Sequence, residues 1–233
     1  MSGLPDPRPT QAKQAALVRR KFDRVAPRYD RANQLLSFGS DQHWRRTAVR
    51  ALAAAPGALV LDVATGTGRL AEELARAGAS PVGLDFSSEM LAAGARRRRV
   101  PWVNGDGMRL PFADATFDGV TIGFGLRNLP DPPAGLAELA RVTRPGGRLV
   151  VLEFSTPTAG WFRHLYERYL VGTLPRVAGL VSSDPAAYTY LAESILNWPD
   201  QQGLARWIRA AGWRDVAWRT LTGGIVALHR AQR

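Results

Sequence analysis

A glycine-rich loop between a strand and a helix constrains the fold of this chain more than any other feature. The apolar, β-branched segment 59–63 precedes the loop, and Leu70 and Leu74 follow it at helical spacing. Gly66 and Gly68 allow a sharp turn and let a ligand approach where a Cβ atom would clash. The N–H groups at the start of the following helix favour polar or anionic ligand atoms. The loop therefore predicts a nucleotide-type cofactor site.

Two acidic residues narrow the choice of cofactor. Asp85 ends the next apolar segment, where folds of this kind place the acid that accepts hydrogen bonds from a ribose diol. Asp62 lies at the end of the first strand, where its charge would repel a pyrophosphate but suits an ammonium and a sulfonium. S-adenosylmethionine carries both groups. The alternative is that Asp62 only caps the following turn.

Strands and helices alternate along the rest of the chain, which predicts a parallel, doubly wound sheet. The predicted strands cover 59–63, 81–84, a short segment near Trp102, 119–124 and 148–154, and the predicted helices cover 69–77, 87–97 and 134–142. After a helix over 204–211, two last strands over 213–220 and 225–229 form an antiparallel C-terminal hairpin.

Two regions interrupt this alternation. Residues 1–56 are predicted to form an N-terminal tail and lid with helices over 11–29 and 41–54, and residues 57–233 to form the cofactor-binding domain. Within that domain, residues 156–199 are helical in pattern and rich in aromatic residues. We expect this insertion to wall a substrate pocket, because it follows the fifth strand at the ligand-binding edge of the sheet. The alternative is that its aromatic side chains form only a small core.

The composition limits the chemistry that the chain can support. It has no cysteine and only three scattered histidines, so disulfides and cysteine nucleophiles are excluded and no metal site is expected. No apolar run approaches the roughly 18 residues that span a bilayer, and the N-terminal segment has no hydrophobic signal core. We therefore expect a cytoplasmic protein that is soluble or peripheral to a membrane.

The formal net charge of +11 indicates attraction to nucleic acid or to anionic lipid. The run Arg96–Arg99 follows a predicted helix, so we interpret it as a solvated turn that complements the helix dipole. The net charge is the only sequence feature that supports a nucleic-acid partner, so we expect none.

Eight segments, in order along the chain, resemble class I S-adenosylmethionine-dependent methyltransferases. The resemblance is narrower to the family that C-methylates prenylated quinol precursors in menaquinone and ubiquinone biosynthesis. The segments are 22–30, 36–39, 61–68, 110–112, 124–128, 144–154, 188–195 and 223–229. The resemblance implies an α/β, Rossmann-like fold with a mostly parallel seven-stranded sheet, helices on both faces and an antiparallel C-terminal hairpin.

The resemblance also implies where the cofactor binds. It places cofactor contacts at Thr67, at Asp85 and at the pair Asp106-Gly107, which departs from the family's usual Asn-Ala or Asp-Ala. An aspartate still accepts the adenine amino hydrogen, so the role survives. The complete predicted S-adenosylmethionine site is Asp62, Gly66, Thr67, Gly68, Asp85, Asp106 and Gly107.

Three residues are the catalytic candidates that the resemblance suggests. Arg127, just after the fourth strand, would stabilise the phenolate that forms on a quinol substrate. Asn128 would hold the second quinol oxygen or a bridging water, and Tyr29 of the lid is a third candidate. The loop residue Ala64 and Gly123 before the Phe-Gly-Leu-Arg-Asn segment favour the menaquinone branch, with a prenylated demethylmenaquinol as substrate.

Other functions stay open at this point. Within the family the alternative is methylation of a polyprenyl benzoquinol in ubiquinone biosynthesis, and outside it methylation of another small molecule or of nucleic acid. A nicotinamide oxidoreductase is disfavoured by the charge of Asp62 and by the absence of a catalytic Tyr-x-x-x-Lys pair, since no lysine follows Lys21. A non-catalytic scaffold is the remaining alternative. The aromatic insertion and the basic surface lead us to expect transient contact with an anionic membrane, and the oligomeric state is left open.

Overall fold

A single seven-stranded sheet organises the protein, and the computed structural model describes Ser37, residues 39–173 and residues 185–233. The strands are β1 Leu59–Val63, β2 Ser80–Asp85, β3 Trp102–Asn104, β4 Phe117–Gly123, β5 Thr143–Phe154, β6 Arg214–Leu221 and β7 Val226–Gln232. Their order is β3-β2-β1-β4-β5-β7-β6, with β1 to β5 parallel and β7 antiparallel to both of its neighbours. The predicted architecture is confirmed.

Helices connect the strands and cover both faces of the sheet. They are α1 Ser40–Leu52, α2 Arg69–Arg76, α3 Ser88–Ala95, α4 Pro132–Val142, α5 Gly160–Arg168, α6 Pro185–Leu196 and α7 Gln201–Ala210. Short turns of 3₁₀ helix cover Leu126–Asn128 and Thr222–Gly224, and a π-helical turn covers Tyr169–Thr173. Within the described ranges, no helix has the length and apolar character needed to cross a bilayer.

Alternate residues of the central strands feed two separate cores. In β1, Leu61 and Val63 pack on one face with Leu136 of α4 and Ile208 of α7. Val60 points to the other face, where the residues of α1 and α2 pack on it. This two-residue periodicity is what a strand buried on both faces requires. It also sends Asp62, which lies between Leu61 and Val63, to the face of α1 and α2.

The order in which the chain adds strands to the sheet reverses between β1 and β4, at the centre of the sheet. From β1 the chain continues to β2 on one side, and from β4 it continues to β5 on the other. Ligands of open α/β sheets bind in the crevice outside the carboxyl ends of two such strands. The residues just after them, Ala64 and Phe124, both adopt left-handed backbone, with φ of 51° and 58°. Two strained turns therefore border the predicted site.

Most predicted elements begin and end within a few residues of the observed bounds. The exception is β5, which begins at Thr143 rather than at residue 148, because Thr143 pairs with Phe117 across a register shift in β4. The turn over 144–147 was predicted to precede the strand and instead lies within it. The predicted N-terminal helix over 11–29 lies outside the described residues.

Gly125 is the residue at which the two turns approach each other most closely, and Gly125→Ala should destabilise the protein. A Cβ added there would lie 2.3 Å from the Cβ of Ala64, so the two turns must separate. We expect the free energy of unfolding, measured with urea, to fall by about 1–3 kcal/mol. Gly160→Ala is the matched control, because an added Cβ there meets nothing within 4 Å. Equal unfolding midpoints for the two variants would contradict the close approach.

Candidate active site

Asp62 is a buried carboxylate at the crevice, with only 1% of its surface exposed. Its Oδ1 accepts a hydrogen bond of 2.7 Å from the Thr121 hydroxyl, directly opposite on β4, and its Oδ2 accepts one of 2.6 Å from Thr65. Burial raises the pKa of Asp62 to about 6, against the opposing effect of the two hydroxyl donors. A cation placed beside Asp62 would stabilise the charged form.

Asp85, at the end of β2, holds the glycine-rich loop in place. Its two carboxylate oxygens accept backbone N–H groups from Gly66, at 2.8 Å, and from Ser87, at 2.9 Å. Gly66 has a φ of +58°, and a Cβ there would meet no atom within 4 Å among the residues that the structure describes.

Trp102 of β3 supports the loop from below, and the sequence analysis missed this role. Its ring lies so close to Gly68 and Gly94 that a Cβ on either glycine would come within 2.3 Å and 2.7 Å of it, respectively. Gly68 also has a φ of +81° and precedes the first turn of α2. Both glycines are therefore needed for close packing of helix, loop and strand, as well as for the turn itself.

Arg98 also supports the loop, which corrects the solvated interpretation for this one residue, whereas the other arginines of the run 96–99 are exposed as expected. Its guanidinium donates to the backbone oxygen of Thr67 at 2.9 Å and pairs with Glu72 of α2 at 2.8 Å. These two acceptors draw the side chain against the loop, and only 11% of it is exposed. Thr67 itself is buried. One residue of the run therefore positions a predicted cofactor contact.

A second charged cluster lies beside Asp62 on the side of α1. The buried carboxylate of Asp41 pairs with Arg45 and with Arg69, the first residue of α2. Arg45 lies near enough to Asp62 to lower the pKa of that carboxyl, and its guanidinium lies 5.9 Å from the centre of the Phe124 ring. The sequence analysis missed this cluster because its members are distant from Asp62 along the chain. Its net positive charge offsets part of the negative charge of Asp62.

The pair Asp106-Gly107 follows β3, which is the edge strand of the sheet beside β2. The Asp106 side chain accepts the backbone N–H of Met108 at 2.9 Å, which shapes a tight turn. Gly107 is buried, and a Cβ there would lie 3.1 Å from the side chain of Leu129. The exposed carboxylate of Asp106 keeps a second oxygen for a ligand amino group.

Arg127 is buried in an ion pair, with 6% of its side chain exposed. Its Nη1 donates to Oε1 of Glu153 at 2.6 Å and to the backbone oxygen of Phe124 at 2.8 Å. Glu153, near the end of β5, is fully buried and also accepts the backbone N–H of Phe154 at 2.9 Å. The sequence analysis placed Arg127 at the strand end but missed Glu153, which fixes the orientation of the guanidinium.

The rest of the Arg127 guanidinium is held by residues from two other elements. Nε donates to the hydroxyl of Ser194 in α6 at 3.3 Å, and the guanidinium carbon lies 5.1 Å from the centre of the Phe154 ring. Nη2 makes no hydrogen bond to any residue that the structure describes. Its two N–H groups are the donors available to a ligand oxygen.

Asn128 lies next to Arg127 in the same 3₁₀ turn. Its side-chain oxygen accepts a hydrogen bond of 3.2 Å from the Tyr190 hydroxyl, and its Nδ2 donates a longer one, 3.4 Å, to Phe124. Burial raises the pKa of Tyr190, so its phenol stays protonated and serves as a donor. Tyr29, the third catalytic candidate, lies outside the described residues.

The geometry brings opposite charges to neighbouring strand ends. A buried carboxylate, Asp62, lies at the end of β1, and a buried guanidinium, Arg127, follows the adjacent β4. The first suits a cationic ligand, and the second suits an oxygen that gains negative charge. Together with the glycine-rich loop at Gly66, these residues fit S-adenosylmethionine and an acidic acceptor molecule.

Comparisons with known proteins agree with this arrangement. The model of the ubiE/COQ5 methyltransferase family matches residues 9–233. A demethylmenaquinone methyltransferase of Mycobacterium sp. strain KMS is 60% identical over 224 residues, which cover 96% of this chain and 97% of that protein. A protein of the same name from Corynebacterium kroppenstedtii is 55% identical over 226 residues, which cover 97% of this chain and 98% of that one.

A solved structure supports the fold. A methyltransferase from Thermotoga maritima, described as S-adenosylmethionine-dependent and a possible histamine N-methyltransferase, superposes with a TM-score of 0.69. The two sequences are 20% identical, and the match covers 91% of this chain and 98% of the other. At this identity the likeness shows a methyltransferase fold and leaves the acceptor open.

Asp62→Asn should change how the stability of the ligand-free protein depends on pH. Because burial raises the folded-state pKa to about 6, the folded protein holds this proton where the unfolded chain has lost it. The contribution of Asp62 therefore becomes less favourable as pH rises through this window. The unfolding free energy of Asp62→Asn minus that of the wild type should rise by on the order of 2–3 kcal/mol from about pH 4 to about pH 8.

Asp118→Asn provides a control of opposite sign in the same urea titrations. The backbone N–H of Leu59 and the Arg144 side chain lower the pKa of Asp118, so this carboxylate stabilises the fold above its unfolded pKa. With the titrations extended below pH 4, the corresponding difference should fall as pH rises towards the ordinary aspartate pKa of about 4, and should stay nearly constant from there to about pH 8. A pH-independent difference for Asp62→Asn would contradict the raised pKa.

Proposed function

This chain belongs to the ubiE/COQ5 methyltransferase family, and from that membership we propose that it C-methylates a prenylated demethylmenaquinol to menaquinol. The observation that carries the proposal is its 60% identity, over nearly the whole of both chains, to a protein named demethylmenaquinone methyltransferase. The chain is an enzyme of the S-adenosylmethionine-dependent class. The substrate, the residue roles and the cellular site are what we propose.

S-adenosylmethionine supplies a methyl group already activated on a positively charged sulfur. We assign its ammonium end to Asp62, because this buried carboxylate offers charge at the point where β1 meets the glycine loop. Gly66, Thr67 and Gly68 provide the backbone against which it would lie. Asp85 would receive the ribose hydroxyls, and Asp106 with Gly107 the adenine ring.

Arg127 would act on the acceptor. Losing a hydroquinone proton makes the neighbouring ring carbon nucleophilic, but the ordinary phenolic pKa of about 10 leaves little phenolate at neutral pH. The Nη2 donors of Arg127 would stabilise the phenolate oxygen, while the ion pair with Glu153 would hold the guanidinium in its orientation. Asn128, oriented by Tyr190, would hold the second quinol oxygen.

The bond changes balance without a further reactant. The ring carbon gains a bond to the methyl group, and the bond from that methyl to sulfur breaks with its electron pair staying on sulfur. The ring C–H proton then passes to water and the phenolate oxygen regains a proton, so aromaticity is restored and one proton is released per turnover. Holding both partners in line provides a large share of the rate enhancement in such displacements, up to roughly 7–11 kcal/mol. The rigid turns at Ala64 and Phe124 supply that fixed geometry from the protein side.

We further propose a cytoplasmic enzyme that contacts an anionic membrane transiently. A prenylated quinol dissolves in the bilayer, so the enzyme has to meet its substrate there. The net charge of +11 favours attraction to anionic lipid. No nucleic-acid partner is proposed.

The test is a single-turnover transfer of labelled methyl from S-adenosylmethionine to reduced demethylnaphthoquinol and, in parallel, to the benzoquinol analogue. We expect the label in the naphthoquinol product after extraction into organic solvent. Label in the benzoquinol alone would move the assignment to the ubiquinone branch. Binding of S-adenosylmethionine without label in either quinol would overturn the proposed substrate and retain the methyltransferase fold.

Arg127→Lys should lower turnover far more than cofactor affinity. Lysine keeps a positive charge for Glu153, so the variant avoids the unpaired buried carboxylate that Arg127→Ala would leave. It loses the planar fork and with it the Nη2 donors, and we expect kcat to fall about 100-fold or more. The dissociation constant for S-adenosylmethionine, from calorimetry, should change by less than about threefold.

Arg144→Lys is the matched control for that substitution. Arg144 pairs with Asp118 at the amino end of β5, and half of its side chain is exposed, so turnover should stay near the wild-type value. If Arg127→Lys instead weakens cofactor binding as much as it slows turnover, Arg127 holds the cofactor and not the quinol.

A further inference from the structure

Helix α5 has one buried side and one exposed side, and the exposed side is apolar. Tyr166, and Leu170 just beyond the helix, are buried in a small core with Ala192 and Ile195 of α6. Trp161 and Leu165 lie one turn apart on the other side, and 75% and 58% of their surfaces are exposed. We call Trp161 and Leu165 the Trp161 face.

One exposed arginine, Arg168, borders the Trp161 face, whereas Arg163 lies two residues from both Trp161 and Leu165, on the other side of the helix. Arg163 and Arg168 are exposed, and Arg168 lies three residues after Leu165, on the same side of the helix. Neither arginine has an ion-pair partner among the residues that the structure describes. Glu167, the only acidic residue of α5, is partly buried. An exposed tryptophan and leucine with an arginine beside them, on a strongly basic chain, is typical of helices that lie in a lipid interface.

The buried side of α5 faces the candidate catalytic arginine. Phe154 packs against the small core of Tyr166 and Leu170, and its ring is the one over which the Arg127 guanidinium lies. Burial raises the pKa of the Tyr166 phenol, and Arg127 is near enough to oppose part of that rise. The Trp161 face is therefore separated from Arg127 by one helix and one aromatic ring.

We infer that the Trp161 face seats on the surface of an anionic phospholipid bilayer and places the quinol site next to the membrane. The inference rests on the proposed function, since a prenylated acceptor is what requires the site to face lipid. Charge complementarity decides between lipid and a second copy of the chain. Each copy carries a formal net charge of +11 and exposes Arg168 beside this face, so two copies repel each other, whereas anionic headgroups neutralise that charge.

Vesicle binding by the full-length protein tests the inference. Sedimentation with vesicles of phosphatidylglycerol and phosphatidylcholine should capture the wild type, with less capture at high salt and less on phosphatidylcholine alone. The double variant Trp161→Gln with Leu165→Gln should lose about tenfold or more of its partition onto the anionic vesicles. Its turnover on a short-tailed, water-soluble quinol should match the wild type.

Trp218→Gln is the matched control, because it removes another exposed tryptophan, 40% exposed, from the edge strand β6. It should bind the vesicles like the wild type. Two results would overturn the inference. One is equal vesicle binding by the double variant and the wild type. The other is a double variant that turns a dimer into a monomer, by size-exclusion chromatography, with unchanged vesicle binding.

The two proposals fail separately in these assays. If binding to anionic vesicles depends on Trp161 and Leu165 but no quinol accepts the methyl group, the docking surface is supported and the proposed substrate is wrong. If quinol is methylated but the double variant works equally well on vesicle-bound substrate and binds vesicles normally, the docking surface is wrong and the proposed function stands.

Discussion

The close approach of two strained turns, at Ala64 and Phe124, is the constraint on which the rest of the site depends. Both residues adopt left-handed backbone that alanine and phenylalanine normally avoid, and Gly125 leaves just enough room for them to touch. Because β1 and β4 are neighbours, these turns end the two strands at the same edge. The sharp exits send the chain to opposite sides and leave the crevice between them.

The buried charged side chains around that crevice differ in how completely neighbouring groups neutralise their charge. Glu153 and Arg127 neutralise each other, and the Arg127 Nη2 has no hydrogen-bond partner among the described residues. Two hydroxyl donors, the charge of Arg45 and the backbone N–H of Ala71 all favour the charged form of Asp62, yet burial still raises its pKa, so the cost of burying its charge is incompletely offset. A cationic ligand would complete that environment. A methyl donor of the right charge would therefore relieve an electrostatic imbalance in the protein.

The sequence allowed the fold and the cofactor loop to be predicted because their signals are local. The bounds of β1 agree with the structure residue for residue, and Gly66, Gly68 and Asp85 lie together as expected. Partners that are distant in sequence were missed. Glu153 meets Arg127 across 26 residues, and Trp102 packs on Gly68 only when β3 joins the sheet. The solvated interpretation of Arg98 was wrong for the same reason, since Glu72 and Thr67 approach it only in the folded chain.

Phe154 belongs to two environments at once. One face of its ring lies near the Arg127 guanidinium, and the ring also packs against the α5 and α6 core. Evolution therefore cannot adjust one environment freely without altering the other. Among relatives, side chains in the small core of Tyr166, Leu170, Ala192 and Ile195 are expected to covary with position 154, although that core itself holds no group that reacts. A substitution in the core beneath α5 would then also change the surroundings of the Arg127 guanidinium, because both contact the Phe154 ring.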